Sequence, residues 1–569
     1  MSITAILIAL AVPTVTAVGL FAHLRHKRRE LTNLRTAWGL PKVRRRDMDA
    51  IAEYDSILEP AQSPEGRLDQ HTWTDLNLDD VFALLDRAES PLGQQVLYHR
   101  LRAGALLSDR EVLEAVVTRF ELDSACRERI QSSLMPLRGS SSFKLAWLAR
   151  FGVLVPRRWF VLFPVSAGAT FLMLLALPFW PKGVLILAGT VVANMVIRAA
   201  AVWRIAPIVL AFRQIGPLLA TARVIARLGG AGFDQVNETL DGDIAKLSRL
   251  GKVTRWVGRD IQSDGDWLAA AVQYLNLIFL LDLNALLFSN RQLEKHRDTL
   301  LRVCGAVGFV DACLAVASYR TGTEGWTRPS LADPGPEATL GGIKHPVVKA
   351  AVPNSLQLGH PRGLLLTGSN MSGKSTLLRT TGVNVVLAQA LNTCLATSYQ
   401  APVLVVRSFM GRDDDILAGR SYYLAEAERV LELLRTRSSR LQHLFLFDEL
   451  FRGTNNVERL ALSEAVLREL VPAGDNDDLS SDTVPHFVVV ATHDRELIDL
   501  LHMDFAAFHF SDTLGSGGLT FDFMLRPGVT HSRNAIALLR ERGASEQVIE
   551  RAMARVRLLE APSPRQQDR

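Results

Sequence analysis

The clearest chemistry in this sequence lies in one run, Gly368-Ser369-Asn370-Met371-Ser372-Gly373-Lys374-Ser375-Thr376. Its pattern, G-x-x-x-x-G-K-[ST], is that of a loop that wraps a polyphosphate. Gly368 and Gly373 let backbone N–H groups close around phosphate oxygens, and a helix starting at the loop adds its partial positive charge. Lys374 should reach the β- and γ-phosphates, and Ser375 should ligate Mg²⁺. The motif also occurs by chance, but rarely between an apolar strand (GLLLT, 363–367) and a helix (TLLRTTGVNVVLAQAL, 376–391). The whole run is therefore expected to bind ATP with Mg²⁺.

Two further strands deliver polar residues at their ends. LFLFDEL (444–450) ends in Asp448 and Glu449. Asp448 is placed to hold Mg²⁺, directly or through water, and Glu449 to polarise the attacking water. Strands often end in acids, so the pair gains its meaning from following a phosphate loop by about 70 residues. VVVATHD (488–494) delivers His493, which could contact the γ-phosphate or the water. A single strand-end histidine is more often structural; this one shares its region with the other two signals. Lys374, Glu449 and His493 are the expected catalytic residues.

These motifs need a sheet to hold them. Over 340–555, short β-rich runs alternate with helical patterns, the rhythm of a mostly parallel α/β sheet. The acidic stretch 473–483 reads as an exposed loop within it. Residues 66–150 have apolar residues at helical spacing, with a break at Ser90-Pro91, and 201–320 look helical again. The expected fold is multidomain: an α-helical core and lever region with transmembrane helices, followed by a C-terminal α/β P-loop NTPase.

The chain has 569 residues, is 48% hydrophobic, and has a mean hydropathy of +0.13, apolar for a soluble protein. Residues 3–22 contain no charge and are long enough to span a bilayer as a helix. The basic run HLRHKRRE (23–30) follows them, which fits an uncleaved anchor with its basic flank in the cytoplasm; a buried core helix is the alternative. Residues 159–180 and 183–197 read as a helical hairpin broken at Pro181-Lys182, flanked by Arg157, Arg158, Arg198 and Arg204. Residues 268–288 are apolar too. Asp282 in their midst is costly at mid-bilayer, so they read as a buried core helix. The net charge of +5 suits nucleic acid or anionic lipid, and equally neither. The four cysteines form no CxxC pair, so neither a disulfide framework nor a zinc site is implied.

Together these residues resemble the MutS family, a branch of the ABC-type ATPases. The resemblance rests on Asn370-Met371 inside the phosphate loop, HPVV (345–348), DDILAGRSYYLAE (414–426), DELFRGTN (448–455), ATHD (491–494) and FMLRPGVTHSRNAIALL (523–539). A weaker similarity, over 72–135, is to the start of the MutS helical core and lever region. The resemblance implies an ATPase that works as a homodimer, in which Ser421 reaches the other subunit's γ-phosphate, and it brings DNA into view as a partner. The sequence departs from the family in three places. No mismatch-reading wedge precedes the core, and Phe120-Glu121 sits in a charged helix. An apolar hairpin interrupts the lever region. Ala351 stands near where the family places an adenine-stacking aromatic. The chain thus looks like a membrane-associated branch of the family.

The expected division is an anchor (1–22), a basic linker (23–65), a first helical part (66–158), a hairpin (159–200), a second helical part (201–335), the ATPase domain (336–558) and a disordered tail (559–569). The basic linker could touch anionic headgroups or be solvated. The expected location is the cytoplasmic (inner) membrane, with the lipid bilayer as a partner and the ATPase domain in the cytoplasm. Two readings stay open: a tethered DNA-binding protein of mismatch-repair or recombination type, and a mechanochemical ATPase acting on a protein or lipid.

Overall fold

The computed structural model describes residues 25, 28–58, 65–152, 159–230, 232–254, 274–332, 335–369, 371–411, 422–436, 441–471, 484, 486–515, 518–529, 536, 539–540 and 542–560. The expected anchor at 3–22, the acidic loop at 473–483 and the tail beyond 560 lie outside them. In chain order the helices are α1 (Met48–Leu58), α2 (Gln70–Asp75), α3 (Leu78–Leu85), α4 (Pro91–Ala103), α5 (Arg110–Leu122), α6 (Ser124–Leu134), α7 (Lys144–Phe151), α8 (Trp159–Ala176), α9 (Val184–Ala226), α10 (Phe233–Thr254), α11 (Leu281–Lys295) and α12 (Arg297–Thr321). After them come β1 (Ser330–Ala332), β2 (Ala338–Ile343), β3 (Asn354–Leu358), β4 (Gly363–Thr367), α13 (Lys374–Leu391), β5 (Ser398–Pro402), β6 (Val405–Met410), α14 (Tyr422–Arg435), β7 (His443–Asp448), α15 (Asn456–Leu470), β8 (Phe487–Ala491), α16 (Arg495–Leu501), β9 (Phe505–Gly515), β10 (Gly518–Pro527) and α17 (Glu546–Glu560).

The chain divides into two compact units that interleave in sequence. One holds residues 1–62, 83–100 and 109–324; the other holds 63–82, 101–108 and 325–569. The expected boundary at 336 differs from this at residues 63–82, 101–108 and 325–335, and for the first of these the reason is local. Asp75 Oδ2 accepts from Ser408 Oγ (2.8 Å) and from Met410 N (3.0 Å) on β6, and Thr72 Oγ1 accepts from Ser408 N (3.0 Å). Leu76 lies so close to Gly382 of α13 that an added Cβ there would meet its Cδ2 at 2.7 Å. Side-chain acceptors on the α2 segment thus satisfy backbone donors of an edge strand.

The helical unit is organised on α12, which is long and apolar enough to cross a membrane yet mostly buried among α5, α7, α9 and α10. Asp311, fully buried on α12, accepts from Glu89 N (2.8 Å), Ser90 N (2.7 Å) and Ser90 Oγ (2.6 Å) just ahead of α4. It thereby supplies acceptors where that helix has spare donors. Two glycines allow the close approach. A Cβ on Gly93 would fall 2.3 Å from Asp311 Oδ2, and one on Gly308 would fall 2.8 Å from the Leu92 carbonyl oxygen. Arg320, also fully buried, forms a two-pronged pair with Glu114 (2.9 and 2.7 Å).

Helix α9 runs 43 residues, about 65 Å at 1.5 Å per residue. In its second half, Ala211, Phe212, Ile215, Leu218, Leu219, Ala222 and Ile225 form a buried stripe. Its first half, with α8 and the turn between them, leaves Val165, Phe171, Leu172, Phe179, Leu185 and Val196 exposed. Fully buried Asn194 ties this hairpin together: it accepts from Ser166 Oγ (2.5 Å) and donates to Thr170 Oγ1 (3.0 Å) and to the Ile278 carbonyl (2.6 Å). Such bonds hold helices together where no water competes.

Two expectations need correction. The stretch 268–288 is not one buried helix. Its described part breaks at Leu280, which adopts φ +51°, while Asn284 Nδ2 donates to the carbonyls of Phe279 (3.2 Å) and Leu280 (3.1 Å). Tyr274, Leu275, Leu281 and Phe288 remain exposed. The segment 23–65 is more than a linker: α1 buries Ile51, and Arg44 and Arg46 both close on fully buried Asp86.

In the α/β unit, a six-stranded sheet has the order β10-β9-β4-β8-β7-β6, parallel from β9 to β6, with β10 antiparallel at the edge. β4 and β8 are buried along their whole length, as expected of central parallel strands. Phe445, Phe447, Val488, Val490, Leu467 and Leu470 form the core against α15. A second sheet has the order β1-β5-β2-β3.

Candidate active site

The expected site residues sit beyond the C-terminal ends of β4, β8 and β7, three adjacent strands. This is where open α/β sheets bind ligands. β4 ends at Thr367 and α13 begins at Lys374. The loop between them turns through Gly368 (φ +146°), Met371 (φ +70°) and Gly373 (φ +112°). At Gly368 a side chain would be strained, and its Cβ would meet Ser372 Oγ at 2.7 Å. Lys374 is buried; its ammonium donates to the carbonyls of Gly368 (2.8 Å) and Ser369 (3.0 Å). Burial lowers its pKa, partly offset by Glu449 and Asp448. The Ser369 and Ser372 hydroxyls are buried and have no hydrogen-bond partner among the described residues. Spare hydroxyls, positive-φ glycines and a buried ammonium make the loop fit a polyphosphate. Ser375 is half-buried on the first turn of α13, and Thr376 is exposed beside it. Asn370 and Ser421 lie outside the described residues.

Asp448 ends β7, paired in register with Ala491 of β8, which brings Glu449 and His493 together. Glu449 adopts φ +57°, held by its N–H on the Ala491 carbonyl (2.9 Å). One carboxylate oxygen lies 3.0 Å from His493 Nε2, and the other accepts from Arg452 Nε. Burial alone would raise the Glu449 pKa; the hydrogen bonds from His493 and Arg452 outweigh it and hold the carboxyl at about 2. His493 Nε2 also lies 3.3 Å from Lys374 Nζ. A single ring nitrogen cannot donate to Glu449 and accept from Lys374. The carboxylate is the stronger acceptor, so Nε2 carries the proton and Lys374 keeps its carbonyl partners. Asp448 is half-buried and, with Ser375, offers the oxygens a Mg²⁺ bound to phosphates would use.

The sequence assigns no role to three contributors, although Arg452 and Phe523 lie within the family-like runs 448–455 and 523–539. Arg452 grips Glu449 as described. Arg459 of α15 forms a two-pronged pair with Asp494 (3.0 and 2.6 Å), fixing the residue after His493. Phe523 lines a cavity of about 310 Å³ beside the loop, with Ile343, His345, Val352, Leu377 and Phe510. A register shift in β10 between Phe521 and Leu525 puts Phe523 at φ +55°. Asn354 pins it there, donating to the Phe523 carbonyl (2.9 Å) and accepting from Leu525 N (2.7 Å). The Phe523 ring then lies 3.4 Å from where a Cβ on Gly373 would be. Burial lowers the pKa of His345 to about 4, so its ring is neutral at pH 7 and the cavity keeps an apolar character.

Residues 364–560 match the family described as MutS domain V. DNA mismatch repair protein MutS 2 of Halobacterium salinarum is 34% identical over 346 residues, covering 58% of this chain and 37% of that protein. DNA mismatch repair protein MutS of Thermus thermophilus is 30% identical over 265 residues, 46% of this chain and 30% of its own length. The protein of the same name from Lactococcus lactis is 28% identical over 271 residues, again 46% and 30%. The chain thus spans about a third of the length of these relatives. With its phosphate loop, acidic strand end and strand-end histidine gathered at one end of the sheet, the stretch 364–560 is a domain of the MutS type.

Proposed function

We propose that this protein is a membrane-tethered ATPase of the MutS type that acts on DNA, hydrolysing ATP at composite sites of a homodimer. The observation that carries the reading is the convergence of Lys374, Glu449 and His493 on the glycine loop. When bound, ATP supplies the phosphoanhydride to be cleaved, and Mg²⁺ neutralises charge on its β- and γ-phosphates. Ser375 and Asp448 would hold the metal. The loop's N–H groups and Lys374 bind and orient the phosphates. Glu449, ionised at any physiological pH, accepts a hydrogen bond from the attacking water and fixes its direction; His493, bonded to it, keeps that carboxylate in place. Dimerisation is supported by Met371, an apolar side chain 85% exposed on the loop, and Ser421 would serve the partner's site.

The exposed apolar hairpin of α8 and α9 supports residence in the cytoplasmic membrane, with the ATPase domain in the cytoplasm. The relatives named as mismatch repair proteins support DNA as the partner. One observation favours a second reading, action on a protein or lipid. Helix α9 runs unbroken from the exposed hairpin into the helical core, so movement at one end reaches the other.

The test is the ATPase rate of detergent-solubilised protein with and without homoduplex, mismatched and branched DNA. A DNA-dependent rate that is lost in Lys374→Ala supports the first reading. A rate indifferent to every DNA, but altered by lipid or by deleting 159–200, supports the second. A Lys374→Ala variant that hydrolyses ATP at the parent rate refutes the site itself.

A further inference from the structure

The helical unit contains a cavity of about 570 Å³, lined in part by Trp38, Leu40, Lys42, Arg44, Arg87 and Arg138. Its lining carries four cations, Lys42, Arg44, Arg87 and Arg138, against two carboxylates, Glu30 and Glu89. Glu89 is satisfied by Lys42 (2.9 Å), Arg138 (2.5 Å) and Gln131 (3.1 Å). Asp86, behind the lining, takes Arg44, Arg46 and Gln94. Arg87, between these two acids in sequence, is only 3% exposed and has no carboxylate partner among the described residues. Its Nη1 donates to the carbonyls of Gly39 (2.7 Å) and Ser318 (2.6 Å), its guanidinium lies 5.3 Å from the Tyr319 ring centre, and its Nε is buried without an acceptor. A buried guanidinium cannot shed its proton, so it needs an anion.

We propose that this cavity is a binding site for a phosphate-bearing anion, with Arg87 as its buried anchor and Lys42, Arg44 and Arg138 at its rim. The rim also carries Leu40 and Val43, both exposed and apolar, and Trp38. The ligand therefore combines a phosphate with an apolar or neutral body. Two sources share that chemistry, a soluble phosphate monoester and the headgroup of an anionic phospholipid. The site is separate from the phosphate loop, and the proposal does not depend on that loop's function.

The test uses full-length protein in detergent and in the Lys374→Ala background, which weakens phosphate binding at the loop. Thermal unfolding is followed with glycerol 3-phosphate, and separately in neutral-lipid micelles doped with phosphatidic acid; glycerol and phosphatidylcholine are the controls. A saturable rise in Tm with either phosphate probe is expected. Arg87→Lys, which keeps the charge but not the fork, should weaken it at least about tenfold. Because Arg87 also holds two carbonyls, Ala37→Trp provides a second variant. Ala37 is an exposed residue lining the cavity, so the fold should persist while the indole fills the space and the response is lost. A response to glycerol 3-phosphate alone identifies a soluble ligand, and one to phosphatidic acid alone a headgroup. No response to either probe, or a response that survives Ala37→Trp unchanged, overturns the proposal.

Discussion

Replacing Glu449 with glutamine changes one atom pair, and its consequences separate chemistry from stability. The carboxyl is held at about 2 against an ordinary 4.5 because His493 and Arg452 both donate to it. Its ionised form is therefore favoured by roughly 3 kcal/mol over a free glutamate. Glu449→Gln removes the charge but keeps the shape, so up to roughly that amount of stability is lost at pH 7. With the folded pKa below the unfolded one, the contribution is fully present above about pH 4.5 and fades as pH falls through 2. The stability gap between variant and parent should narrow over that window. Nucleotide binding, which rests on the loop and Lys374, should survive. Hydrolysis should fall by about 10²- to 10⁴-fold, the usual cost of losing a group that positions or deprotonates the nucleophile. Single-turnover hydrolysis of labelled ATP, with nucleotide retention on a filter, measures both. A variant that binds ATP and hydrolyses it at more than a tenth of the parent rate would show that Glu449 does not face the water. The same pKa shapes the acid limb: activity should not decline between pH 7 and 5 through Glu449, because a carboxyl held at about 2 stays ionised throughout.

Phe523→Ala should raise KM for ATP by roughly 5- to 100-fold with little change in kcat, the scale for losing an aromatic face under a base; an unchanged KM would mean the base does not occupy that cavity. Gly93→Ala drives a methyl group into Asp311 and should cost about 1–3 kcal/mol of overpacking, visible as a lower Tm. Burial pushes Asp311 up to about 6 from 3.8. Its protonated form is therefore the one the fold favours, and stability present at pH 4 should be lost as pH rises through 6, by about 3 kcal/mol. Asp311→Asn should remove that slope in chemical denaturation, and an identical slope in both proteins would point to another group.

What the sequence makes legible here is what is local. The phosphate loop announces itself because its glycines and lysine must stand at fixed spacing between one strand and one helix, and α13 begins at the lysine of the motif. Asp448, Glu449 and His493 are legible for a related reason, since each ends an apolar run. Pairings across long sequence distance are hidden. Nothing in QHTWTD says that Thr72 and Asp75 will satisfy β6 more than 330 residues away, so residues 66–82 read as part of the helical region although they pack with the α/β unit. Leu280 hides in another way: its left-handed turn rests on Asn284 bonding back to two carbonyls, and apolar periodicity carries no trace of that.

Phe523 and Arg87 show why a residue's type alone misleads. Phe521 and Phe523 alternate as any strand would, and only the shift in β10, pinned by Asn354, turns Phe523 towards the loop. An aromatic at the position after HPVV would have been visible from the motif; one delivered by a bulge about 170 residues later is not. Arg87 stands in a charged run, DRAE, inside a stretch whose helical spacing does not say which charge will be buried. Asp86 and Glu89 each gather cations of their own, and this leaves the arginine between them buried with its charge unmatched. The imbalance emerges only once Lys42, Arg44 and Arg46 have folded back onto these acids. A segment that sequence alone assigns to a linker therefore sets the charge of the cavity, and the cavity's ligand should be sensitive to any substitution that moves residues 42–46.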